Sequence, residues 1–271
     1  MPRTDWSEVV NRAATIVDEY DTPVTLRQLF YRLVADGTLP NIQTAYKTLS
    51  ARTAEARRRG SFPELIDRTR TIHRGVIFRD PGQALRWLVA IYERDRTGGQ
   101  EVSLYLGVEK AGIVEQLRYW FGDFGLPVLA LGGYASQSYV DEVVRDVEHQ
   151  GRTAVLLYAG DFDPSGEDIR RDFIDRTDCW DEVVQVALSA EQVAEYNLPP
   201  YPGKRTDSRA VGFEARHGRL VQVEVDALPP NALRDLFNRA VMTYLDKSIL
   251  DEVMEIEAQD QEALEKALAV I

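Results

Sequence analysis

Two carboxylates, Asp161 and Asp163, directly follow the apolar run from Ala154 to Ala159 and Gly160. An apolar run of this kind is typical of a buried parallel strand, because both faces of such a strand are covered. If the extended backbone continues past Gly160, both carboxylates point to the same side, since side chains alternate along a strand. Paired carboxylates are common ligands of Mg²⁺, which keeps its remaining positions for water and phosphate oxygens. The alternative is a solvated turn in which an aspartate caps the following helix.

A third carboxylate, Glu109, ends a second apolar run that extends from Val102 to Val108. A further run, from Pro127 to Leu131, comes next, and segments with apolar residues at helical spacing separate the runs. This alternation of strands and helices predicts an α/β fold with a parallel sheet. Ligands of such sheets bind outside the carboxyl ends of the strands. We therefore expect Glu109, Asp161 and Asp163 to share one site.

Each of these three strand ends carries a short motif. The motifs are Val108-Glu109-Lys110, Gly132-Gly133-Tyr134 and Asp161-Phe162-Asp163-Pro164-Ser165-Gly166. Their order resembles a Toprim domain over about residues 100 to 175. More narrowly, it is similar to the Toprim domain of the topoisomerase VI A subunit and of its relative, the meiotic double-strand-break protein. The resemblance implies that Glu109, Asp161 and Asp163 hold Mg²⁺ at the cleaved phosphate.

The charge of the chain is unevenly distributed. The net charge is −12, but the segment from Thr22 to Arg79 has eleven Lys/Arg against four Asp/Glu, which gives +7 and leaves −19 for the remainder. A basic segment on an acidic protein is the pattern expected of local phosphate binding. The alternative is a basic solvated face.

Three helices are predicted in the N-terminal part, at about Trp6 to Tyr20, Thr25 to Gly37 and Ile42 to Arg59. Short connections and an irregular stretch from Ser61 to Arg74 suit a winged helix-turn-helix whose third helix lies on DNA. The basic residues expected to contact DNA are Lys47, Arg52, Arg57 and Arg58.

Tyr31 falls off the apolar stripe of the second predicted helix, one turn after Arg27. The hydroxyl of a tyrosine titrates near pH 10, so it needs a neighbouring cation or base to attack phosphate at neutral pH. Arg27 can stabilise the charge that develops on such a phosphate. The alternative is a flanking tyrosine that packs beside an arginine and has no chemical role.

The segment Thr25 to Tyr31 is similar to the winged-helix motif of the same family, in which an arginine precedes a Tyr-Tyr pair. The second tyrosine of that pair attacks DNA, and Tyr31 occupies its place, while Phe30 replaces the first. The resemblance implies catalytic roles for Tyr31, Arg27 and Glu109, where Glu109 either binds the metal or transfers a proton. It also implies a homodimer whose sites combine the tyrosine of one subunit with the metal site of the other.

These patterns divide the chain into a winged-helix DNA-binding domain at 1–80, a linker helix and loop at 81–100, and a Toprim domain with a C-terminal extension at 101–271. The expected activity is Mg²⁺-dependent cleavage of double-stranded DNA that leaves a covalent Tyr31-phosphate link. One alternative is a Toprim nuclease of the overcoming-lysogenization-defect type, in which a metal-bound water attacks. The other is a DNA-binding scaffold protein without turnover.

Several other classes of protein are disfavoured. Cys179 is the only cysteine, which excludes an intramolecular disulfide and a thiolate metal cage. No apolar run approaches the ~20 residues of a membrane span, and the first residues lack a signal-peptide core. We expect a cytoplasmic, nucleoid-associated protein.

The resemblance to topoisomerase VI has two departures. The first predicted helix begins almost at residue 1, so we expect most of the extension that engages the ATPase partner to be absent. The chain also has no Walker-type nucleotide motif. Strand passage driven by ATP would therefore require a partner subunit that the sequence does not identify.

Alternation of apolar and polar residues near the C-terminal part predicts one more strand, half-buried, from Val221 to Val225. We expect the acids Glu224 and Asp226 to lie on its solvated face. The alternative is that they are further metal ligands.

Overall fold

The computed structural model describes residues 5–67, 75–203 and 205–269. These residues form an α/β structure. Its α-helices, in chain order, are α1 Trp6–Asp18, α2 Leu26–Ala35, α3 Gln43–Arg58, α4 Pro81–Ala90, α5 Ala111–Phe121, α6 Gln137–Gln150, α7 Pro164–Thr177, α8 Ala190–Glu195, α9 Ala210–His217, α10 Pro230–Tyr244 and α11 Lys247–Leu268. The strands are β1 Val102–Val108, β2 Val128–Ala130, β3 Thr153–Ala159, β4 Glu182–Ala187, β5 Tyr201–Pro202 and β6 Val221–Gln222.

The predicted parallel sheet is confirmed. Strands β1 to β4 pair in the order β2-β1-β3-β4, and all three pairings are parallel. The two central strands are in register from Val102↔Thr153 to Val108↔Ala159, so they end at the same edge of the sheet. Both are buried along nearly their whole length, as the two apolar runs predict.

Helices cover both faces of the sheet. On one face, Leu106, Leu117 and Phe237 belong to a core built with α5 and α10. On the other, Leu156 and Phe173 belong to a core built with α6 and α7. Because helices cover both faces, a ligand can reach the sheet at the carboxyl ends of its strands.

The three predicted N-terminal helices are confirmed as α1, α2 and α3, and they share a core of their own. Thr25 and Gln28 form the reciprocal capping box that starts α2. After α3 the chain returns to α2 through a single parallel bridge between Thr25 and Ile66. The predicted irregular stretch lies partly at 68–74, outside the described residues, so the winged-helix assignment stays a prediction.

Helix α2 is fixed against the sheet domain by two contacts. The side-chain amide of Gln28 donates to the carbonyl oxygen of Gly112 at 3.2 Å. The buried guanidinium of Arg32 donates to the carbonyl oxygen of Ala227 at 2.9 Å and pairs with Glu19 at 3.2 Å. The helix that carries Tyr31 therefore lies at the carboxyl edge of the sheet of its own chain.

The segment after α4 is tied to the C-terminal helix. Arg96 pairs with the buried Glu257 of α11 at 2.7 Å, and Arg94 pairs with Asp260 at 2.5 Å. The predicted loop within 81–100 is thus anchored to α11 through Arg94 and Arg96. The segment from Pro199 to Gly218 is rich in proline, glycine and charge, which predicts a long loop, and that prediction is wrong in part because the segment contains β5 and α9.

Among the described residues, none of the helices combines the length and the apolar character that crossing a bilayer requires.

Candidate active site

The carboxyl edge of the sheet brings Glu109 and Asp161 together. The backbone N–H of Glu109 donates to the carbonyl oxygen of Ala159 at 3.0 Å, which continues the pairing of β1 with β3 by one residue. The Glu109 carboxylate then accepts from the backbone N–H of Asp161 at 3.1 Å. A side chain at Gly166 would place its Cβ 2.4 Å from the Asp161 carbonyl oxygen and 3.2 Å from Glu109 Oε2. Only glycine permits this approach of α7 to the two acids.

Asp163 is the N-cap of α7. Its Oδ1 accepts from the backbone N–H of Gly166 at 2.7 Å, so the capping role considered as an alternative is present. The carboxylate is nevertheless buried, and burial raises its pKa above the ordinary value. Asp163 therefore shares the acidic edge with Asp161 while one of its oxygens supports the helix.

Two further carboxylates join this edge, and the expectation of a solvated face for them is wrong. Glu224 is 8% exposed and Asp226 is 7% exposed. The alternation ends at Val223, which pairs with Phe162, and the chain then turns into the 3₁₀ helix Val225–Ala227. The backbone N–H of Val225 donates to Asp161 Oδ1 at 2.9 Å, which holds this turn against the site.

Lys110 stands in the middle of these acids. Its ammonium contacts the carboxylate of Asp161, lies 2.6 Å from Glu224 Oε2 and lies 3.8 Å from Glu109 Oε1. Burial alone would lower the pKa of Lys110, but the charges of Asp161 and Glu224 outweigh it and raise the pKa. In the sequence, Lys110 is marked only by its place in the Val108-Glu109-Lys110 motif, which does not indicate that it lies among the carboxylates.

The pKa values of the carboxylates of this site are shifted in different directions. Burial, with the nearby charge of Glu224, raises the pKa of Asp161 well above the ordinary value. Burial raises the pKa of Asp226 to about 6. Burial also opposes the ionisation of Glu224, but the ammonium of Lys110 outweighs it and lowers the pKa. The edge therefore combines several carboxylates with shifted pKa values, as functional sites commonly do.

The residues present fit Mg²⁺ by their chemistry. Five carboxylates (Glu109, Asp161, Asp163, Glu224 and Asp226) face two cations (Lys110 and Arg27), which leaves a formal charge of −3. Glu224 Oε2 is buried and receives no directed hydrogen bond from the described residues. Carboxylate oxygens are hard ligands of the kind Mg²⁺ takes.

In their present positions, no three acidic, histidine or cysteine side chains of the described residues converge closely enough to hold a metal ion. Two features account for this. The ammonium of Lys110 lies between Asp161 and Glu224, and Asp163 is turned toward its helix cap. The predicted ligand set Glu109, Asp161 and Asp163 therefore stays a prediction.

Tyr31 lies beside this acidic edge. Arg27 donates to the Tyr31 hydroxyl at 3.4 Å, and its guanidinium carbon lies 5.4 Å from the centre of the tyrosine ring. Burial raises the pKa of Tyr31, and the charge of Glu224 raises it further, while the charges of Arg27 and Lys110 act in the opposite direction. The charge of a carboxylate of its own chain thus acts on the candidate nucleophile.

A cavity of about 780 Å³ lies between the N-terminal helices and the carboxyl edge of the sheet. Arg27, Arg57, Glu109, Lys110 and Asp226 are among the residues that line it. Three of these five are cationic, so the cavity can receive a phosphate next to the carboxylates. The residues predicted to bind DNA, which are Lys47, Arg52, Arg57 and Arg58, are all exposed on α3, and Arg57 is the one of the four that lines this cavity.

Asp226→Asn is expected to stabilise the protein at pH 8 without added metal, and to leave its stability unchanged at pH 4. The folded chain keeps the Asp226 proton up to about pH 6, whereas the unfolded chain releases it near the ordinary pKa of 3.8. The stabilisation from this neutral carboxyl is complete below about pH 4 and is lost as the pH rises through about 6. The difference between 3.8 and about 6 corresponds to about 3 kcal/mol at most.

Thermal denaturation of parent and variant at both pH values measures this difference. Asp235→Asn, at an exposed aspartate of α10, is the matched control and should show no gain at either pH. A gain for Asp226→Asn that is larger at pH 4 than at pH 8 contradicts the prediction.

Comparison with models of known protein families finds no match for this sequence. Comparison with curated proteins finds none either. The contacts within the chain are therefore the observations that bear on its function.

Proposed function

We propose that this chain binds double-stranded DNA and cleaves it by Mg²⁺-dependent transesterification, with Tyr31 as the nucleophile. The observation that supports this best is that the Tyr31 hydroxyl accepts from Arg27 at 3.4 Å and is close enough to the acidic edge for the charge of the buried Glu224 to raise its pKa. The side chains that the topoisomerase VI resemblance implies for the reaction, on α2 and at the ends of β1 and β3, thus lie in one region of one chain.

In the proposed reaction the Tyr31 oxygen attacks the phosphorus, the bond from phosphorus to a deoxyribose oxygen breaks, and that oxygen takes a proton from solvent and leaves as a hydroxyl. The phenolic proton passes to Glu224, because the charge of that carboxylate acts on the hydroxyl and a neighbouring cation, Lys110 in this structure, keeps the carboxylate ionised. Arg27, at 3.4 Å from the hydroxyl, stabilises the charge on the phosphate oxygens. Glu109 and Asp161 would hold Mg²⁺, which when bound supplies positive charge to the phosphate and to the leaving oxygen.

Covalent trapping tests this proposal. The protein is incubated with supercoiled DNA and Mg²⁺, denatured, and assayed for DNA that remains linked to protein. A linkage at Tyr31, identified by mass spectrometry of the digested adduct, is the expected result. Cleavage without linkage contradicts transesterification, and the absence of both favours the DNA-binding scaffold.

One observation favours the Toprim nuclease as a second candidate. The residues that line the larger cavity include Glu109, Lys110 and Asp226, whereas Tyr31 lines a separate cavity of about 370 Å³. A phosphate in the larger cavity would meet the carboxylates before it meets the tyrosine. In that reaction water attacks and Tyr31 has no chemical role, so cleavage persists in Tyr31→Phe.

Neutralising the basic residues of α3 is expected to weaken DNA binding and to reduce its salt dependence. If Lys47, Arg52, Arg57 and Arg58 contact phosphates, each change to glutamine should lower the slope of log affinity against log salt by about 0.9. Affinities for a short duplex, measured at several salt concentrations without Mg²⁺, give the slope. Arg145→Gln, at an exposed arginine of α6, is the control and should leave the slope unchanged. An unchanged slope in all four variants would assign α3 to a solvated face.

A further inference from the structure

Lys110 occupies a position that suits a metal ion. Its side chain is 16% exposed, and its ammonium contacts Asp161 and lies 2.6 Å from Glu224 Oε2. The two carboxylates come from parts of the chain that are 63 residues apart, as their numbers 161 and 224 show. A compact cation is therefore already held between two acids that the fold brings together.

Two carboxylates of this site are incompletely paired. Glu224 Oε2 is buried and receives no directed hydrogen bond within the described chain, although the ammonium is near. Asp226 is 7% exposed, lines the same cavity as Lys110, and takes part in none of the hydrogen bonds or ion pairs found among the described residues. Buried carboxylates cost free energy unless their charge is balanced, and Asp161, Glu224 and Glu109 share the single charge of Lys110, so the site favours one more positive charge than Lys110 supplies.

We propose that the Lys110 ammonium marks the position of the divalent cation, so that Glu224 is a ligand of that cation and Lys110 competes with it. This inference rests on the Mg²⁺ dependence of the proposed function and extends the ligand set beyond Glu109, Asp161 and Asp163. Glu224 is better placed than Asp163 to bind the cation, because Oδ1 of Asp163 already accepts a hydrogen bond from the Gly166 N–H at 2.7 Å. Ligation through Oε2 leaves Oε1 of Glu224, which accepts from the side-chain amide of Gln222 at 3.5 Å, outside the bond to the metal.

Release of Lys110 has a consequence for substrate binding. The lysine lines the cavity together with Arg27 and Arg57. When the divalent cation takes its place, the ammonium becomes available to a phosphate in that cavity. Cation binding and phosphate binding would then be coupled through one side chain, because the same charge cannot serve both partners at once.

The replacement of the Lys110 ammonium by the divalent cation is tested first on the unchanged full chain, without DNA. An amine-acylating reagent is applied with and without saturating Mg²⁺ at constant ionic strength, and each lysine is followed by mass spectrometry. Lys47, Lys247 and Lys266 are exposed and serve as internal references. Lys110 should be labelled much more slowly than the references without Mg²⁺ and severalfold faster with it. Labelling of Lys110 that Mg²⁺ leaves unchanged overturns the competition.

The ligand assignment is tested by calorimetric titration of Mn²⁺ and Mg²⁺ into parent and variants, again without DNA. Glu224→Gln should weaken Mn²⁺ binding at least about tenfold. Lys110→Met should tighten it. Glu195→Gln removes one negative charge at an exposed position of α8 and should change the affinity little. Equal affinities for Glu224→Gln and Glu195→Gln overturn the assignment of Glu224, and weaker binding by Lys110→Met overturns the competition.

These measurements separate the inference from the proposed function. If the parent binds neither Mn²⁺ nor Mg²⁺, the metal dependence of the proposed function fails, and the inference fails with it. If the parent binds Mn²⁺ and Glu224→Gln binds it equally well, the inference alone fails. Circular dichroism confirms that each variant is folded, and should Lys110→Met not fold, the labelling of the unchanged chain decides the competition.

Discussion

Tyr31→Phe is expected to lower the rate of DNA cleavage at least about 10⁴-fold, because loss of a covalent nucleophile commonly costs this much or more. The covalent protein–DNA adduct should disappear at the same time. The change removes one oxygen atom and keeps the ring, which packs edge-to-face on Phe30 with the ring centres 5.7 Å apart. DNA binding should therefore persist, and a cleavage assay together with a duplex-binding assay would show the two effects separately.

Tyr119→Phe is the matched control for this change. Tyr119 is 65% exposed on α5, so loss of its hydroxyl should leave cleavage at the parent rate. Cleavage by Tyr31→Phe at the parent rate would contradict transesterification and favour the attack of water. A fall in cleavage that is accompanied by an equal fall in DNA binding would assign Tyr31 to substrate binding instead.

The parts of the fold that could be predicted are those specified by local pattern. The bounds of β1 are those of its apolar run, and β3 begins one residue before its run. Both strands are central in the sheet, where burial on two faces demands continuous apolar sequence. The start of α2 could be predicted as well, because Thr25 and Gln28 form a capping box whose hydrogen bonds depend on no distant residue.

The positions of Glu224 and Asp226 could not be predicted in the same way. Alternation with valines is the pattern of a half-buried strand, and such a strand normally exposes its polar face. What buries these acids is tertiary structure, namely the bridge from Val223 to Phe162 and the packing of the following turn against α2. The one local signal was the spacing of two acids about a single apolar residue, the same as in Asp161 and Asp163.

Asp163 is interpreted from the sequence either as the cap of a helix or as part of an acidic site, and the structure supports both interpretations. The capping interpretation is met by its hydrogen bond from the Gly166 N–H at 2.7 Å. Its raised pKa, caused by burial, is the mark of a carboxylate that belongs to the acidic edge as well. A spacing pattern gives residue types and faces, but it does not give the direction in which a side chain turns.

The relation between Tyr31 and the carboxylates is the point on which sequence and structure differ most. The resemblance implies sites shared between two subunits, whereas the Gln28–Gly112 and Arg32–Ala227 contacts hold α2 on the sheet domain of its own chain. A homodimer remains a prediction, since two-fold symmetry suits two cuts in a duplex. In such a dimer each chain would then contribute one complete site.

Mixing Tyr31→Phe with Asp161→Asn distinguishes the two arrangements, and we expect no recovery of cleavage. Each variant alone should be inactive, the first for want of a nucleophile and the second for want of a carboxylate at the cation position. If each site lies within one chain, every site in every mixed dimer lacks one component. If sites are shared, one site of each mixed dimer is intact, and random exchange would restore about a quarter of all sites and produce single-strand nicks.

The control is to mix differently tagged parent and Tyr31→Phe chains and to isolate dimers that carry both tags, which establishes that subunits exchange. Under those conditions nicking by the Tyr31→Phe and Asp161→Asn mixture would contradict sites within one chain. The contacts of Gln28 and Arg32 would then belong to a resting arrangement that opens when DNA binds. Absence of nicking, with exchange demonstrated, would mean that each chain contains a complete site. In that site Tyr31, which Arg27 contacts at 3.4 Å, acts together with the carboxylates of the same chain.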